Sequence, residues 1–305
     1  MSENTPLDYV VDEKKISRNL GFDISYPIRV FTLESLGINE LDFISFMRPQ
    51  FSILHMDPYD AKRNKVKILE NIFPEEKDHL QKFLADYYIG QADLEAVVDL
   101  ISRLEPKDRH AFDRVGMTAR RKRSIARFVV SLTSKNIWRI QRVPAPEFKQ
   151  AVGKDDARSF VRKFHEMSSL VTEYPCTKQM IRSIAGMVRE VKPEAKKLEI
   201  TMHMMFVFAD ALTEGDNSPE GIHKDGADYI VSALVIERAG IMGGTSIVYD
   251  DNQQNVYLEY TLQQGQGLFQ DDRNLWHYVT PIQENHRVPP PYGNRSIIGF
   301  DINIL

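Results

Sequence analysis

The chain has 305 residues, 42% of them hydrophobic and 27% charged, the balance of an ordinary soluble globular protein. A formal net charge of -4 argues against a nucleic-acid or other polyanionic partner, and a lone cysteine, Cys176, excludes an internal disulfide framework and a cysteine-rich zinc site. No apolar stretch approaches the roughly 18–20 residues that cross a bilayer, and the first residues lack the basic and apolar regions of a secretory signal, so a reducing, cytoplasmic setting with no membrane attachment is expected.

The first third of the chain reads as helical. Residues 36–51 are apolar at mixed three- and four-residue spacing, and residues 61–73 continue that pattern after Pro58. Pro74 opens a helix that reaches about Tyr88, with acidic residues in its first turn as the helix dipole prefers. Residues 91–104 follow Gly90, and Pro106 is expected to stop them. None of these segments alternates with a period of two. The spacing therefore predicts a helical bundle or prefix over residues 30–112, with a boundary near 115. From Ser124 the pattern changes. Residues 124–131 and 137–143 are short, β-branched and aromatic, residues 155–170 and 178–191 return to helical spacing, and from Leu198 onward short strands alternate with turn signals. Among those signals are Gly243-Gly244 and Asp250-Asp251-Asn252. The expected class is α+β: a helical N-terminal region over 1–115, and a sandwich or jelly-roll domain over 116–305. Pro289-Pro290-Pro291 reads as a rigid loop.

Chemistry concentrates in the second half. His223 and Asp225 sit two apart just before the apolar run 228–236, and i, i+2 residues of a strand share a face. His277 opens a second short apolar run and Arg295 a third. Two histidines and a carboxylate are the ligand set of a non-haem iron(II) site with open coordination positions. A planar guanidinium such as that of Arg295 can hold a dicarboxylate cosubstrate through paired hydrogen bonds. His-x-Asp alone is common by chance, and the second example, His55-Met56-Asp57, precedes a proline in the helical half with no distal histidine to match. What distinguishes His223-Lys224-Asp225 is the ordered set of motif, distal histidine and strand-opening arginine.

The stretches 220–226, 243–250 and 271–282 resemble the iron(II)/2-oxoglutarate dioxygenase family that includes bacterial isoleucine 4-hydroxylases. The resemblance covers roughly residues 120–305. It implies a double-stranded β-helix (jelly-roll, cupin-like) core with buttressing helices, and Fe(II), 2-oxoglutarate and O2 as cofactors. The implied activity is hydroxylation of a C–H bond in a free amino acid or an amino-acid-derived metabolite, with succinate and carbon dioxide as coproducts. By the same resemblance His223, Asp225 and His277 ligate iron, and Arg295 holds the distal carboxylate of 2-oxoglutarate. Relatives in the wider superfamily pair that arginine with a serine two positions on. Here Ile297 occupies that position, and Ser296 would point to the opposite face of a regular strand. The helical first hundred residues have no counterpart in the short amino acid hydroxylases. They fit a buttress, a lid or a homodimer interface. They would also suit a peptide or protein hydroxylase that docks its substrate there. A non-catalytic metal- or 2-oxoglutarate-binding module is the third reading.

Several further residues divide between a functional and a plain role. Asp228 either binds a substrate amine or is a solvated acid at a strand edge. Glu220 either supports a ligand histidine or contacts substrate, or else has no part in the site. Arg142, with Arg139 beside it, either clamps a substrate carboxylate or lies on the surface. His203 either faces the cavity or is a hydrogen-bonded core histidine, and Trp276 reads as core packing. The cluster Arg120-Arg121-Lys122-Arg123 reads as a solvated face, because a nucleic-acid patch would need further basic or aromatic support. Loops 211–219 and 283–292 are expected to close over the cavity.

Overall fold

The computed structural model describes residues 27–116, 120–145, 147–153, 156–285 and 293–305. The triple proline and part of loop 283–292 lie outside the described residues. The frame is a pair of long antiparallel strands, β5 (Lys197–Ala209) and β13 (Gly293–Ile304), paired without a break from Gly293↔Ala209 to Ile304↔Leu198. Around them an eight-stranded sheet forms. β1 (Ile28–Thr32), β10 (Gln266–Asp271) and β6 (Tyr229–Ala239) lie on the β13 side. β3 (Arg121–Leu132) lies on the β5 side and carries both β2 (His55–Met56) and β4 (Trp138–Val143). A smaller sheet of β11 (Trp276–Val279), β8 (Ser246–Tyr249) and β9 (Val256–Tyr260) stands opposite. β7 (Ile241–Gly243) pairs with β12 (Ile282–Glu284). Val235 and Ile297 of the large sheet pack with Val248 of the small one and with Leu262, just after β9, joining the two sheets of the double-stranded β-helix.

Side-chain alternation explains what each face of the large sheet does. On β5 and β13, Met202, Met204, Ile298, Phe300 and Ile302 join Ala126, Phe128 and Val130 of β3 in one apolar layer. Two helices cover it. α1 (Glu40–Ser52) begins at Asn39, whose side chain accepts from the Asp42 amide at 3.0 Å and satisfies an otherwise orphaned donor. α7 (Pro175–Val191) has Pro at its first turn and turns Met180, Ile181, Ile184, Ala185 and Val188 inward, the i, i+4, i+8 stripe of an amphipathic helix. Of the opposite parity on the same strands, Arg121, Arg123, His203, Met205, Arg295 and Ile297 line the cavity.

The other N-terminal helices form a second cluster. α2 (Tyr59–Ile72), α3 (Lys77–Ile89), α4 (Val98–Ser102) and α5 (Pro106–Arg114) pack Leu69, Leu80, Phe83, Leu100 and Phe112 together with Ile125, Phe148 and Phe164 of the β region. The preceding helix ends at Ser102, ahead of Pro106 as expected, and Pro106 itself opens the next helix, where its missing N–H falls at a position with no intrahelical bond due. The predicted helix over 155–170 is largely absent. Among the described residues this segment holds a single 3-10 turn, Ala157–Ser159, two isolated bridges, from Arg162 to Phe148 and from Glu166 to Ile125, and the start of α6 (Ser169–Thr172). Its apolar residues are drawn into the α2–α5 cluster instead. β1 went unread within the helical prefix, since five residues are too few for alternation to stand out.

Phe128 is 1% exposed and Leu41 is 77% exposed. Phe128→Ala is expected to cost about 3–5 kcal/mol of unfolding free energy, and Leu41→Ala no more than about 0.5 kcal/mol. Urea denaturation of the two variants checks both.

Candidate active site

His223 lies outside any strand. It exchanges two backbone hydrogen bonds with His277 of β11, amide to carbonyl at 2.9 Å in each direction. The chain then turns at Gly226, whose φ of +83° suits glycine, and a Cβ there would lie 2.6 Å from the Ala151 carbonyl oxygen. Beneath the turn the buried Asp272 carboxylate accepts three successive amides, Asp225 at 3.0 Å, Gly226 at 2.7 Å and Ala227 at 3.0 Å. β6 begins only at Tyr229. The expectation that strand periodicity aligns His223 and Asp225 is therefore corrected: a bridge to β11 and a carboxylate-held turn do it.

The result is compact. One ligand atom each from His223, Asp225 and His277 lie within 4.8 Å of one another. Asp225 Oδ1 is 3.6 Å from His223 Nε2, and its Oδ2 is 3.5 Å from His277 Nε2. His223 Nδ1 lies 2.8 Å from the Gly221 carbonyl, a bond in which only the ring can donate, so Nε2 is the atom left for a metal. Burial disfavours a charged His223, but the Glu220 and Asp225 carboxylates outweigh it and push its pKa up to about 9. Burial, then the His223 charge, pushes His277 down to about 3. Burial would raise Asp225, yet its bond to His223 and the surrounding cations hold it far below the usual carboxylate range. The three groups thus offer an ionised carboxylate beside imidazoles, a donor set suited to a divalent metal.

Arg295 is fully buried on β13, opposite Val207 of β5 and Arg238 of β6. Its Nη1 donates to Asn217 Oδ1 at 3.0 Å, whereas Nε and Nη2 have no partner among the described residues. Gly244, with φ +69°, makes room: a Cβ there would approach Arg295 Cδ to 3.2 Å. Burial, then repulsion from Arg238, pushes Arg295 down to about 9. Two orphaned donors on a buried cation call for an anionic acceptor. The metal donor set and this cation line one cavity and fit a metal plus a chelator with a distal carboxylate. Ile297 lines the same cavity, while the Ser296 hydroxyl is buried elsewhere without a partner.

The remaining candidates separate cleanly. Glu220 lines the cavity with Oε1 3.1 Å from His223 Nε2. Asp228 does not: its Oδ2 accepts from the Ile304 amide at 2.7 Å and its Oδ1 pairs with Arg273, so it ties the β6 entry to β13. Arg142 is also corrected. It bonds to Thr172, Glu166 and the Met167 carbonyl, away from the cavity, and Arg139 is exposed. His203 is both things at once, a buried histidine between Arg123 and Asp301 that lines the cavity. Trp276 is half-buried and donates to the Asp251 carbonyl at 3.0 Å, so it is no core residue. In the other His-x-Asp, exposed His55 stacks on His165, and buried Asp57 pairs with Arg121 at 2.9 Å.

The basic cluster is the largest revision. Arg121 and Arg123 sit two apart on β3 and both line the cavity instead of forming a solvated face. Gln150, Arg158 and Arg162 were not singled out by sequence reasoning. Gln150 Nε2 donates to Asp225 Oδ1 at 2.6 Å while its Oε1 accepts from Arg162 at 2.8 Å. Arg158 donates to the Lys224 carbonyl at 3.0 Å and lies 3.8 Å from both Glu220 and Asp225. The i, i+2 spacing of Arg121 and Arg123 in a strand was a signal available for two of these; the others sit in irregular chain that carries none. From the helical prefix, Tyr59, Asp60, Arg63 and Tyr88 complete the cavity wall. Asn217 and Ser218 place loop 211–219 there as well.

A sequence model of the 2OG-Fe dioxygenase family matches residues 101–301. No curated protein matches the chain. Among solved structures, a bsmA homologue from Methylobium petroleophilum PM1 superposes with a TM-score of 0.65 at 17% identity, covering 99% of this chain and 95% of that one. IDO from Bacillus thuringiensis superposes with a TM-score of 0.50 at 15% identity, covering 68% of this chain and 91% of its own. At such identities these likenesses concern the fold. The first extends it to the helical prefix.

Removing the Asp272 acceptor leaves three amides without their partner. Asp272→Ala is expected to weaken Fe(II) binding by roughly 10- to 100-fold, and Gly226→Ala to act in the same direction. Anaerobic metal titration followed by calorimetry measures both.

Proposed function

The chain belongs to the 2OG-Fe dioxygenase family, and from that footing we propose that it hydroxylates a C–H bond of a small molecule, a free amino acid or an amino-acid-derived metabolite. The family uses Fe(II), 2-oxoglutarate and O2. In this reading His223, Asp225 and His277 hold the iron, and Arg295 holds the distal carboxylate of 2-oxoglutarate. One observation carries it: three convergent ligand atoms share a cavity with a buried guanidinium that has two unused donors.

Bound there, iron(II) supplies the one-electron chemistry that oxygen requires, while 2-oxoglutarate and the substrate C–H bond each give up two electrons, one oxygen atom ending in succinate and one in the product alcohol. The protein's own part is orientation. The Gly221 carbonyl fixes the His223 tautomer, Gln150 and Arg158 steady Asp225, and Asn217 aims Arg295. Once His223 Nε2 serves a metal it can no longer donate to Glu220. That carboxylate is then free to accept from a substrate ammonium. Val279 and Ile297 supply apolar wall near these groups.

The cavity is about 90 Å³, and side chains of α2 and α3 line it instead of flanking an open groove. That favours a small substrate over a docked peptide. The single cysteine suits a reducing cytoplasm.

The test is succinate formation by iron-loaded protein in oxygen with a panel of amino acids. One amino acid is expected to stimulate it, and His223→Ala to abolish it. Failure of the wild type to bind iron would sink the proposal. Arg295→Gln is expected to raise the KM for 2-oxoglutarate about 10- to 150-fold, the value of hydrogen bonds to a charged group, with iron affinity unchanged.

A further inference from the structure

The cavity contains more positive charge than an iron centre and one cosubstrate account for. Arg121 is matched, pairing with Asp57 at 2.9 Å and Asp60 at 2.7 Å. Arg158 is matched by Asp156. Arg123 and Arg162 are not. Among the described residues neither has a carboxylate partner. Arg123 Nη2 meets only the neutral ring of His203 at 2.8 Å, and Arg162 Nη2 meets the Gln150 amide oxygen and the Arg158 carbonyl. The Nε of each is cut off from solvent with nothing to donate to among the described residues.

These two guanidinium groups share one aromatic seat. Arg123 lies 5.6 Å from the Phe148 ring and 4.5 Å from the Phe164 ring; Arg162 lies 5.2 Å and 5.8 Å from the same rings. The rings hold both cations by their faces and leave the edges, where the N–H donors lie, for a ligand. Like charges this close repel. Burial pushes Arg123 down to about 10, with Asp57 opposing and the Arg121 and Arg162 charges adding to it, and burial lowers Arg162 as well, again against Asp57. Such a pair is costly unless an anion completes it. Gln150 connects the pair to the metal centre, since the amide that accepts from Arg162 also donates to Asp225.

We propose that Arg123 and Arg162 form a second anion subsite, separate from Arg295, which takes the carboxylate of an α-amino acid substrate while Glu220 takes its ammonium group. The proposal rests on the dioxygenase reading above and specifies its substrate class. Two guanidinium groups and one carboxylate in a single cavity complement a zwitterion, and the pair shares no hydrogen-bond partner with Arg295, whose Nη1 donates to Asn217.

The test uses full-length protein saturated with Fe(II) and 2-oxoglutarate under nitrogen, so that Arg295 is already engaged. Acetate, the simplest carboxylate, and inorganic phosphate are titrated in by calorimetry. Wild type is expected to bind acetate, and Arg162→Gln and Arg123→Gln to bind it at least tenfold more weakly with 2-oxoglutarate affinity preserved. Arg162→Lys, which keeps charge and stem but loses the planar fork, is expected to fall between and serves if a glutamine variant does not fold. In oxygen, an amino acid that stimulates succinate formation is expected to lose its effect as the C-terminal amide. No acetate binding by wild type, equal binding by the variants, or a response to phosphate alone would overturn the proposal. Loss of 2-oxoglutarate affinity in the variants would do so too, by assigning the pair to the cosubstrate. Absence of iron or 2-oxoglutarate binding in wild type would instead strike the dioxygenase reading, and is seen before acetate is added.

Discussion

The site depends on how the eight residues before β6 are tied to the small sheet. Two backbone hydrogen bonds join His223 to His277, and the Asp272 carboxylate takes the next three free amides beneath the turn. Without these ties the segment 221–227 would be an ordinary loop with unsatisfied amides. With them, two imidazoles and a carboxylate are brought face to face before any metal arrives. Asp272 lies five residues before His277, so the same stretch of chain holds His223 through the His277 backbone and the turn at Asp225 through the Asp272 carboxylate.

Charge organises the rest. The cavity floor is polar to an extent that few protein interiors tolerate, with arginines on β3, on β13 and in the 156–162 segment. Each is dealt with differently. Arg121 is neutralised by two aspartates, Arg158 is shared between Asp156 and the metal-motif carbonyl, and Arg295 is left half-satisfied. Unmet donors on a rigid wall preorganise a site for anions, because the protein has already borne the desolvation. The helices of the prefix make this possible. α1 and α7 cover the outer face of the large sheet, whereas α2 and α3 bring Tyr59, Asp60, Arg63 and Tyr88 over the cavity. The prefix is thus both buttress and wall.

Much of the centre could be read along the chain. His223, Asp225, His277 and Arg295 converge as their order and context suggested, because strand-forming runs on either side leave little freedom in how they meet. Glu220 was legible from its place beside the motif. Arg142 and Asp228 were not, since a charged residue in a strand-like run looks the same whether it faces a cavity or a neighbouring backbone. The cluster at 120–123 was misread for a related reason. Four basic residues in a row suggest solvent, but on a strand they alternate, and the partner carboxylates of Arg121 come from α2 and the residues just before it, over sixty residues earlier.

The sequence by itself determined the elements and the ligand chemistry. Hydrophobic periodicity is local and survives without knowledge of the fold, whereas His223 and Asp225 are aligned by a bridge to His277 and a turn held by Asp272, both distant in sequence. Only the tertiary structure decided which charges meet. Arg123 and Arg162 come from β3 and from irregular chain that the spacing had assigned to a helix, and they share an aromatic seat only because Phe148 and Phe164 are pulled into the α2–α5 cluster. Electrostatic contacts of this kind join positions far apart in sequence, and their energy depends on burial and distance, quantities that a linear pattern does not contain.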